Sequence, residues 1–331
     1  VAAAVRDQGA RIVHAHNLLP TFGWRALAAA RQAGARVVLH LHQYRLVCAV
    51  GVCFTRGEQC TRCHGRNTLP GVLRNCRGSR AQALAYGTAL ALWQRRMIEQ
   101  ADALIVPSVF ARERLRALGA PLPWERVRVL APPVRALEPD TAPAIDLDAA
   151  PASSPSVADA ASTPYALVVS RLSPEKGVDV AIDACRRAGI ALVIAGDGPE
   201  REALQARAAG SRVRFVGLLD ESRLAQLRAG AALALVPSRS AETFGLAAAE
   251  AMAAGLPVAA SRIGALAELV EEQGLVEPGD AAALAAVIER LCDDDEAGAR
   301  ARDRARAICA PQVVARGLAE VYGGASDERI D

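Results

Sequence analysis

The residues with most chemistry to offer stand in three short turns of the second half of the chain. One is Ser170-Arg171-Leu172-Ser173-Pro174-Glu175-Lys176-Gly177, which sets a guanidinium and an ammonium five residues apart. Of 39 basic residues all but one are Arg, and the exception is Lys176. A planar fork beside a point charge suits a diphosphate. The second turn is Pro237-Ser238-Arg239-Ser240-Ala241-Glu242-Thr243-Phe244-Gly245-Leu246, running on to Glu250. Its pattern predicts a helix beginning near Thr243 or Phe244, with the N–H groups of Phe244, Gly245 and Leu246 facing an anion. Gly245 lets backbone and phosphate approach closely. Glu250 lies ~9 Å beyond Phe244 at ~1.5 Å per residue, a reach that suits ribose hydroxyls. Glu242, just outside the helix, falls on the far side of the phosphates, where a transferred group would lie. In the third turn, Ala195-Gly196-Asp197-Gly198-Pro199-Glu200, two glycines permit a tight bend against a nucleotide. Gly264 would add a further rim. Any one of these turns reads equally well as ordinary surface; in combination they describe a diphosphate and ribose site.

The first half carries a different chemistry. All five His and five of the eight Cys precede residue 77. His14-Ala15-His16 ends one apolar run and His40-Leu41-His42 another, and alternation puts His40 and His42 on one face. A histidine at a strand's carboxyl end can meet substrate, whereas one inside a strand is more often a satisfied core residue. That test selects His16 and His42 over His14 and His40. Cys48, Cys53, Cys60, Cys63 and Cys76 cluster in a Gly- and Arg-rich segment. Cys60-Thr61-Arg62-Cys63 supplies two of the four ligands that tetrahedral zinc needs, and Cys48 and Cys76 complete a set, with His64 or Cys53 as substitutes. A structural zinc on Cys48, Cys60, Cys63 and Cys76 and a group of free or redox-active thiols are the two readings.

These side chains must be positioned by alternating strands and helices. Strands are predicted at Arg11–His14, Arg36–His42, Ala103–Val106, Val127–Leu130, Tyr165–Val169, Ile190–Ala195, Val213–Val216, Ala232–Val236 and Pro257–Ala260. Between most of them lie helical patterns, among them Thr21–Ala33, Ala81–Gln100, Val109–Leu118, Val178–Ala188, Pro199–Ala209, Glu221–Ala229, Phe244–Ala254 and Ala281–Leu291. Nearly continuous apolar strands alternating with helices imply doubly wound parallel sheets covered on both faces. In such sheets ligands bind at the carboxyl ends of the strands, where these residues stand. The segment 138–164, rich in Pro, Ala, Ser and Asp, reads as a flexible linker or expanded loop. It divides an N-terminal unit, 1–137 with a Cys-rich insertion at 45–80, from a second at 165–310, ahead of a closing segment at 311–331.

The motifs Ser-Arg-Leu-x-x-Glu-Lys-Gly, Gly-Asp-Gly-Pro-Glu and Pro-Ser-x-x-x-Glu-x-Phe-Gly with a second Glu seven residues on resemble those of the retaining glycosyltransferases of family 4. The resemblance is close from Tyr165 to about Tyr322 and looser over Arg11–Pro133. It implies the GT-B architecture, an α/β fold of two Rossmann-like domains facing a cleft. It implies that Arg171 and Lys176 hold the donor diphosphate, that Glu250 binds the ribose, and that Glu242 with the backbone of Thr243, Phe244, Gly245 and Leu246 meets sugar and phosphates. Gly196 and Gly198 join the donor side. His42 resembles a histidine that approaches the reaction centre, although Gln43 stands where the family often has Asp. Ser108 resembles a loop residue on the acceptor side, with His16. The helix Pro311–Tyr322 would cross back onto the N-terminal domain. Family members usually begin with a strand and glycine-rich loop that do not precede Val1, so the N-terminal domain reads as truncated. Some members carry a similar Cys-rich insertion.

The expected reaction moves a sugar from a UDP- or GDP-sugar to a hydroxyl acceptor with retention. Arg171, Lys176 and the helix start would take the charge of the leaving diphosphate, and no cofactor would be required for the chemistry. Competing readings are an inactive or truncated relative, a nucleotide-sugar isomerase of the same architecture, and a nicotinamide enzyme. The last lacks its third glycine, because Arg201 follows Gly196-Asp197-Gly198 at that position.

With 331 residues and 52% hydrophobic content the chain is too apolar for global disorder. No run reaches the length of a membrane span and no leader is visible, so a cytoplasmic location is expected, or one peripheral to the membrane's inner face. Between Arg45 and Arg80 seven arginines face only Glu58, a basic stretch that could draw the protein to an anionic membrane or a phosphorylated acceptor. Nucleic acid is not expected, since stacking aromatics there are few.

Overall fold

Runs of β-branched residues and leucine form two separate parallel sheets in the computed structural model, which describes residues 1–17, 23–137 and 164–323. Most of the stretch expected as a linker lies outside the described residues, as does the tail beyond residue 323. In chain order the strands are β1 Ile12–His16, β2 Arg36–His40, β3 Phe54–Thr55, β4 Glu58–Gln59, β5 Ala103–Val106, β6 Val127–Val129, β7 Tyr165–Val169, β8 Ala191–Ala195, β9 Val213–Gly217, β10 Leu233–Val236, β11 Val258–Ser261 and β12 Leu275–Val276. The chain divides into one unit of Val1–Pro132 joined by the segment from Val314 onward, and another of Pro133–Val313.

In unit 1 the sheet order is β1-β2-β5-β6, all parallel. Helices Gly23–Gln32 and Arg80–Glu99 contribute Leu27, Ala30, Met97 and Ile98 to a core with Val37, Leu39, Leu104 and Val106. The other face of the sheet, with Val38, Ala103 and Ile105, is covered by Val321 of the closing helix Pro311–Gly323. That helix lies close enough that a Cβ on Gly317 would meet Leu130 Cδ1 at 2.6 Å. The 45–80 segment is a local lobe with the β3–β4 hairpin and a short helix, Leu69–Leu73.

Unit 2 has a six-stranded sheet in the order β12-β11-β10-β7-β8-β9. Its inner strands are short and apolar on both faces, as strands sandwiched between helices must be, whereas the edge strand β9 carries Arg214. The helix Val178–Ala188 buries Val178, Val180, Ala181, Ile182, Ala184 and Cys185, and is packed by Ala281–Cys292. Its order reverses between β7 and β10, whose carboxyl ends carry the two charged turns.

Several boundaries differ from expectation. Arg36–His42 ends as strand at His40, and Ile190 and Pro257 fall outside their strands. The donor-side helix begins at Leu246, not at Thr243 or Phe244, because Gly245 adopts φ +96° and caps it from outside. A helix at Ala297–Cys309 was not anticipated. Its buried stripe is Ala297, Ala301, Ala305 and Cys309, small residues among arginines that make a weak apolar signal.

Candidate active site

The carboxyl end of the unit 2 sheet gathers the loops after β7, β8, β10 and β11. Lys176 reaches across from the first of these to the third, with Nζ 2.6 Å from Glu242 Oε1. Ser238 donates from Oγ to the same oxygen at 2.8 Å. Both bonds fall on Oε1. The two loops are stitched by their backbones as well, Arg239 N–H donating to Glu175 O at 2.8 Å. Arg239 also pairs with Asp179 at 2.6 Å, fixing the start of the following helix.

Arg171 is placed differently from Lys176. Its side chain is 62% exposed and pairs with Glu175 in its own turn, so the expected pair of cations is not brought together by direct contacts. Glu175 is buried. Burial pushes its carboxyl up, but its own backbone N–H, Ser173 and Arg171 outweigh that and hold it below the usual carboxylate range.

Gly245 is the hinge of the third loop. Its left-handed conformation turns the chain into the helix Leu246–Ala253, and a Cβ there would lie 2.6 Å from Leu266 Cδ2. The N–H groups left without intrahelical acceptors are therefore those of Leu246, Ala247 and Ala248, not those of Phe244 to Leu246 as expected. Phe244 is buried, and Leu246 is exposed beside the helix start. From Leu246, Glu250 is only ~6 Å along the axis, nearer the helix start than the ~9 Å expected from Phe244. Its carboxylate pairs with Arg228, a buried arginine in the helix Glu221–Gly230.

The remaining glycines hold loops together. Gly196 and Gly198 lie against the carbonyls of Ser170 and Leu172, and a Cβ at either would overlap them. Gly264 packs on the backbone of Glu242, whose carbonyl accepts from Ala265 N–H at 3.0 Å. These glycines thus fix the β7, β8, β10 and β11 loops to one another and set where Glu242 stands. Thr243 is half-buried in the same loop.

In unit 1 the strands bring four histidines into one stack. Ring centroids are 4.3 Å apart for His14 and His16, 5.1 Å for His16 and His40, and 4.1 Å for His40 and His42. His16 Nδ1 lies 2.7 Å from His42 Nε2, and His14 Nδ1 2.7 Å from Tyr322 Oη. Burial, then neighbouring imidazoles, lowers His14 to about 4 and His40 to about 3, and His16 and His42 also fall below their usual value. His40 is not the satisfied core residue expected: neither ring nitrogen has a partner. Ser108 is buried and caps the helix Val109–Ala117, accepting from Ala111 N–H at 2.9 Å, so its hydroxyl serves the fold.

All five clustered cysteines line one small pocket of about 10 Å³, enough for an ion and too little for an organic ligand. Backbone N–H groups of Val50, Gly51 and Cys53 are directed at Cys48 Sγ. A hydrogen bond from Cys53 is the main cause lowering the Cys48 thiol to about 6, while Cys53 itself is raised. Among the described residues, the group with three ligand atoms within 4.8 Å of one another is His14, His16 and His40, not a set of sulfurs. Part of the basic stretch is spent internally. Arg74 pairs with Glu58, Arg66 and Arg77 donate to the carbonyls of Ala91 and Ala49, and Arg77 lies over the Tyr86 ring. No helix among the described residues is long and apolar enough to cross a membrane.

Sequence reasoning did not find Arg228, Ser238, Glu175 or Tyr322. Ser238 sat inside a recognised motif without a role, and Arg228 carried no signal among 38 arginines.

Residues 152–308 match the family described as glycosyl transferases group 1, and residues 1–133 the glycosyl transferase 4-like domain. The chain is 41% identical to a glycogen synthase of Mycobacterium tuberculosis over 172 residues, 47% of this chain and 41% of that protein. It is 45% identical over 106 residues to a GDP-mannose-dependent alpha-(1-6)-phosphatidylinositol dimannoside mannosyltransferase of the same species, covering 30% of this chain and 28% of that one. The chain thus spans less than half the length of either relative. Among solved structures it is similar to a sucrose-phosphate synthase from Thermosynechococcus elongatus, at TM-score 0.63 and 25% identity over 97% of this chain and 75% of that one. It is also similar in fold to HepE of Anabaena solved with UDP and glucose, at TM-score 0.63 and 21% identity over 98% of this chain and 81% of that one.

Proposed function

The chain belongs to the family 4 type of glycosyltransferases, with GT-B architecture, and from that premise we propose that it transfers a sugar, with retention, from a nucleotide-diphosphate sugar to a hydroxyl acceptor. The observation that carries this reading is the Lys176–Glu242 contact beside the open start of the helix Leu246–Ala253. In the reaction the bond between the anomeric carbon and the leaving phosphate oxygen breaks, one to the acceptor oxygen forms, and the acceptor hydroxyl's proton passes to the departing phosphate. Negative charge grows on the diphosphate as it leaves. Lys176, Arg171 and the N–H groups of Leu246, Ala247 and Ala248 are the donors set to receive it. Glu242, with Oε1 held by Lys176 and Ser238, presents Oε2 to a hydroxyl of the transferred sugar. Glu250, oriented by Arg228, takes the ribose.

His16, at the carboxyl end of β1, and His42, just beyond that of β2, are assigned to the acceptor side. UDP- and GDP-sugars are the donors proposed, the latter in line with the GDP-mannose-dependent relative. The cysteine pocket is proposed to hold a structural zinc on Cys48, Cys60, Cys63 and Cys76, whose sulfurs would draw together around the ion, with a role in folding the lobe and none in the transfer.

A thermal-shift screen of UDP- and GDP-sugars tests the assignment, because a ligand bound only by the native state stabilises it by about 2.7 kcal/mol at a hundred times its Kd. One donor should raise the midpoint of the wild type and fail to raise that of Lys176→Ala. A donor that shifts both equally would remove Lys176 from the site.

A further inference from the structure

The imidazole stack of unit 1 includes His14 and His40, to which the proposed sugar transfer gives no part. Alternation along β1 turns His14 and His16 to one face, and the parallel register pairs His16 with His40 on β2. Two histidines two residues apart on one strand and a third directly across on its neighbour give the sheet three adjacent imidazoles. One nitrogen from each lies within 4.8 Å of the other two.

The nitrogens that would bind are the ones left over. His14 Nε2 is buried without a partner, and so are both nitrogens of His40, a residue only 6% exposed. Buried polar atoms with no partner are uncommon and call for an explanation. The opposite nitrogens of the other two rings are held: His14 Nδ1 by Tyr322 Oη and His16 Nδ1 by His42 Nε2, each at 2.7 Å. In the tautomer where Nδ1–H donates outward the lone pair of each ring stands on Nε2, and a bound metal would select that tautomer. An outer partner that fixes the ring and its tautomer in this way is the usual companion of a metal-binding histidine.

We propose that His14, His16 and His40 bind a zinc ion through Nε2 of His14, Nε2 of His16 and a ring nitrogen of His40. Three neutral imidazoles without a carboxylate favour zinc or its borderline neighbours over magnesium or calcium. At a Zn–N distance of about 2.0–2.1 Å tetrahedral ligands stand ~3.4 Å apart, so the nearest set of ring nitrogens has to draw in by at most about 1.4 Å while the stacked rings tilt toward one point. His16 is exposed, which leaves the fourth position open to water or another oxygen ligand.

The test is a cobalt titration of the full chain after chelator treatment, followed by zinc competition. Wild type should take up cobalt at a nitrogen site, seen as visible ligand-field absorption that persists in Cys60→Ser/Cys63→Ser, where thiolate-to-cobalt charge transfer is lost. His16→Ala, at an exposed position, should abolish that absorption with the circular dichroism unchanged. Tyr322→Phe should weaken zinc binding about 10- to 100-fold, the effect of losing an outer partner. Cobalt absorption that is unchanged in His16→Ala, or that disappears wholly in the cysteine double variant, would overturn the proposal.

Discussion

Lys176 and Glu242 are 66 residues apart in sequence, yet Nζ and Oε1 lie 2.6 Å apart, joining the loops after β7 and β10. The side chains are 27% and 18% exposed, so the pair is screened from water without being sealed from a ligand. In a chain that writes every other basic residue as Arg, the one ammonium is spent at this point. A compact charge can hold a carboxylate and a phosphate oxygen together, where the broad guanidinium fork would fill the space itself.

Lys176→Ala should lower kcat on the order of 10²–10³-fold, the loss that follows removal of one donor to developing charge. Thermal unfolding should change little, because the pair is partly exposed. Steady-state kinetics beside calorimetry check both; near wild-type turnover would remove Lys176 from the reaction.

Arg228→Ala should leave Glu250 without its partner. The cost should fall below the ~3–5 kcal/mol of a fully buried pair, at about 1–3 kcal/mol, because the Glu250 side chain is 35% exposed. Donor affinity should weaken with stability, since the carboxylate loses its orientation. Urea unfolding and donor titration measure the two effects, and unaltered donor affinity would separate Glu250 from the ribose.

Gly245→Ala meets both a left-handed φ and Leu266 Cδ2 at 2.6 Å. Backbone strain of about 1–2 kcal/mol and overpacking of about 1–3 kcal/mol should act together. The midpoint of unit 2 should fall, with the helix start displaced and nucleotide binding weakened more than the stability loss alone explains. A variant as stable as wild type would contradict the close packing of this turn.

Glu175 sets an acid limit. Its folded pKa lies below the ordinary 4.5, so the unfolded chain takes up the proton first. The resulting stability is present above about pH 4.5 and is lost as pH falls through the lower folded value. Glu175→Gln should be less stable at neutral pH and show a flatter stability profile below 4.5. Parallel profiles for the two proteins would place the acid sensitivity elsewhere.

Cys60→Ser/Cys63→Ser should release one zinc per chain, measured by elemental analysis, and reduce the loss of thermal stability that chelator causes. A wild type whose midpoint ignores chelator would argue for free thiols in that pocket.

Much of this fold was legible because its strands are short, apolar and separated by regular helices. Tyr165–Val169 and Ala103–Val106 emerge with the boundaries that their apolar runs suggest. The helix at Leu246 did not, since only the left-handed φ of Gly245 shows where helical geometry starts, and φ is not written in residue spacing. Lys176 and Glu242 could be named from their motifs. Their contact could not, because it depends on the β10-β7 adjacency in the sheet. His14 and His40 looked like core residues for a similar reason: strand pairing turned two separate His-x-His runs into one stack. Ser108, which the family resemblance puts on the acceptor side, is an N-cap, a role open to any serine just ahead of a helical run.

The most direct test is the structure of the full chain with whichever of UDP or GDP stabilises it more. The β-phosphate should lie within hydrogen-bonding distance of Lys176 Nζ and of the N–H groups opening the helix at Leu246, with the ribose against Glu250. A nucleotide bound away from the carboxyl ends of β7 and β10 would contradict the account.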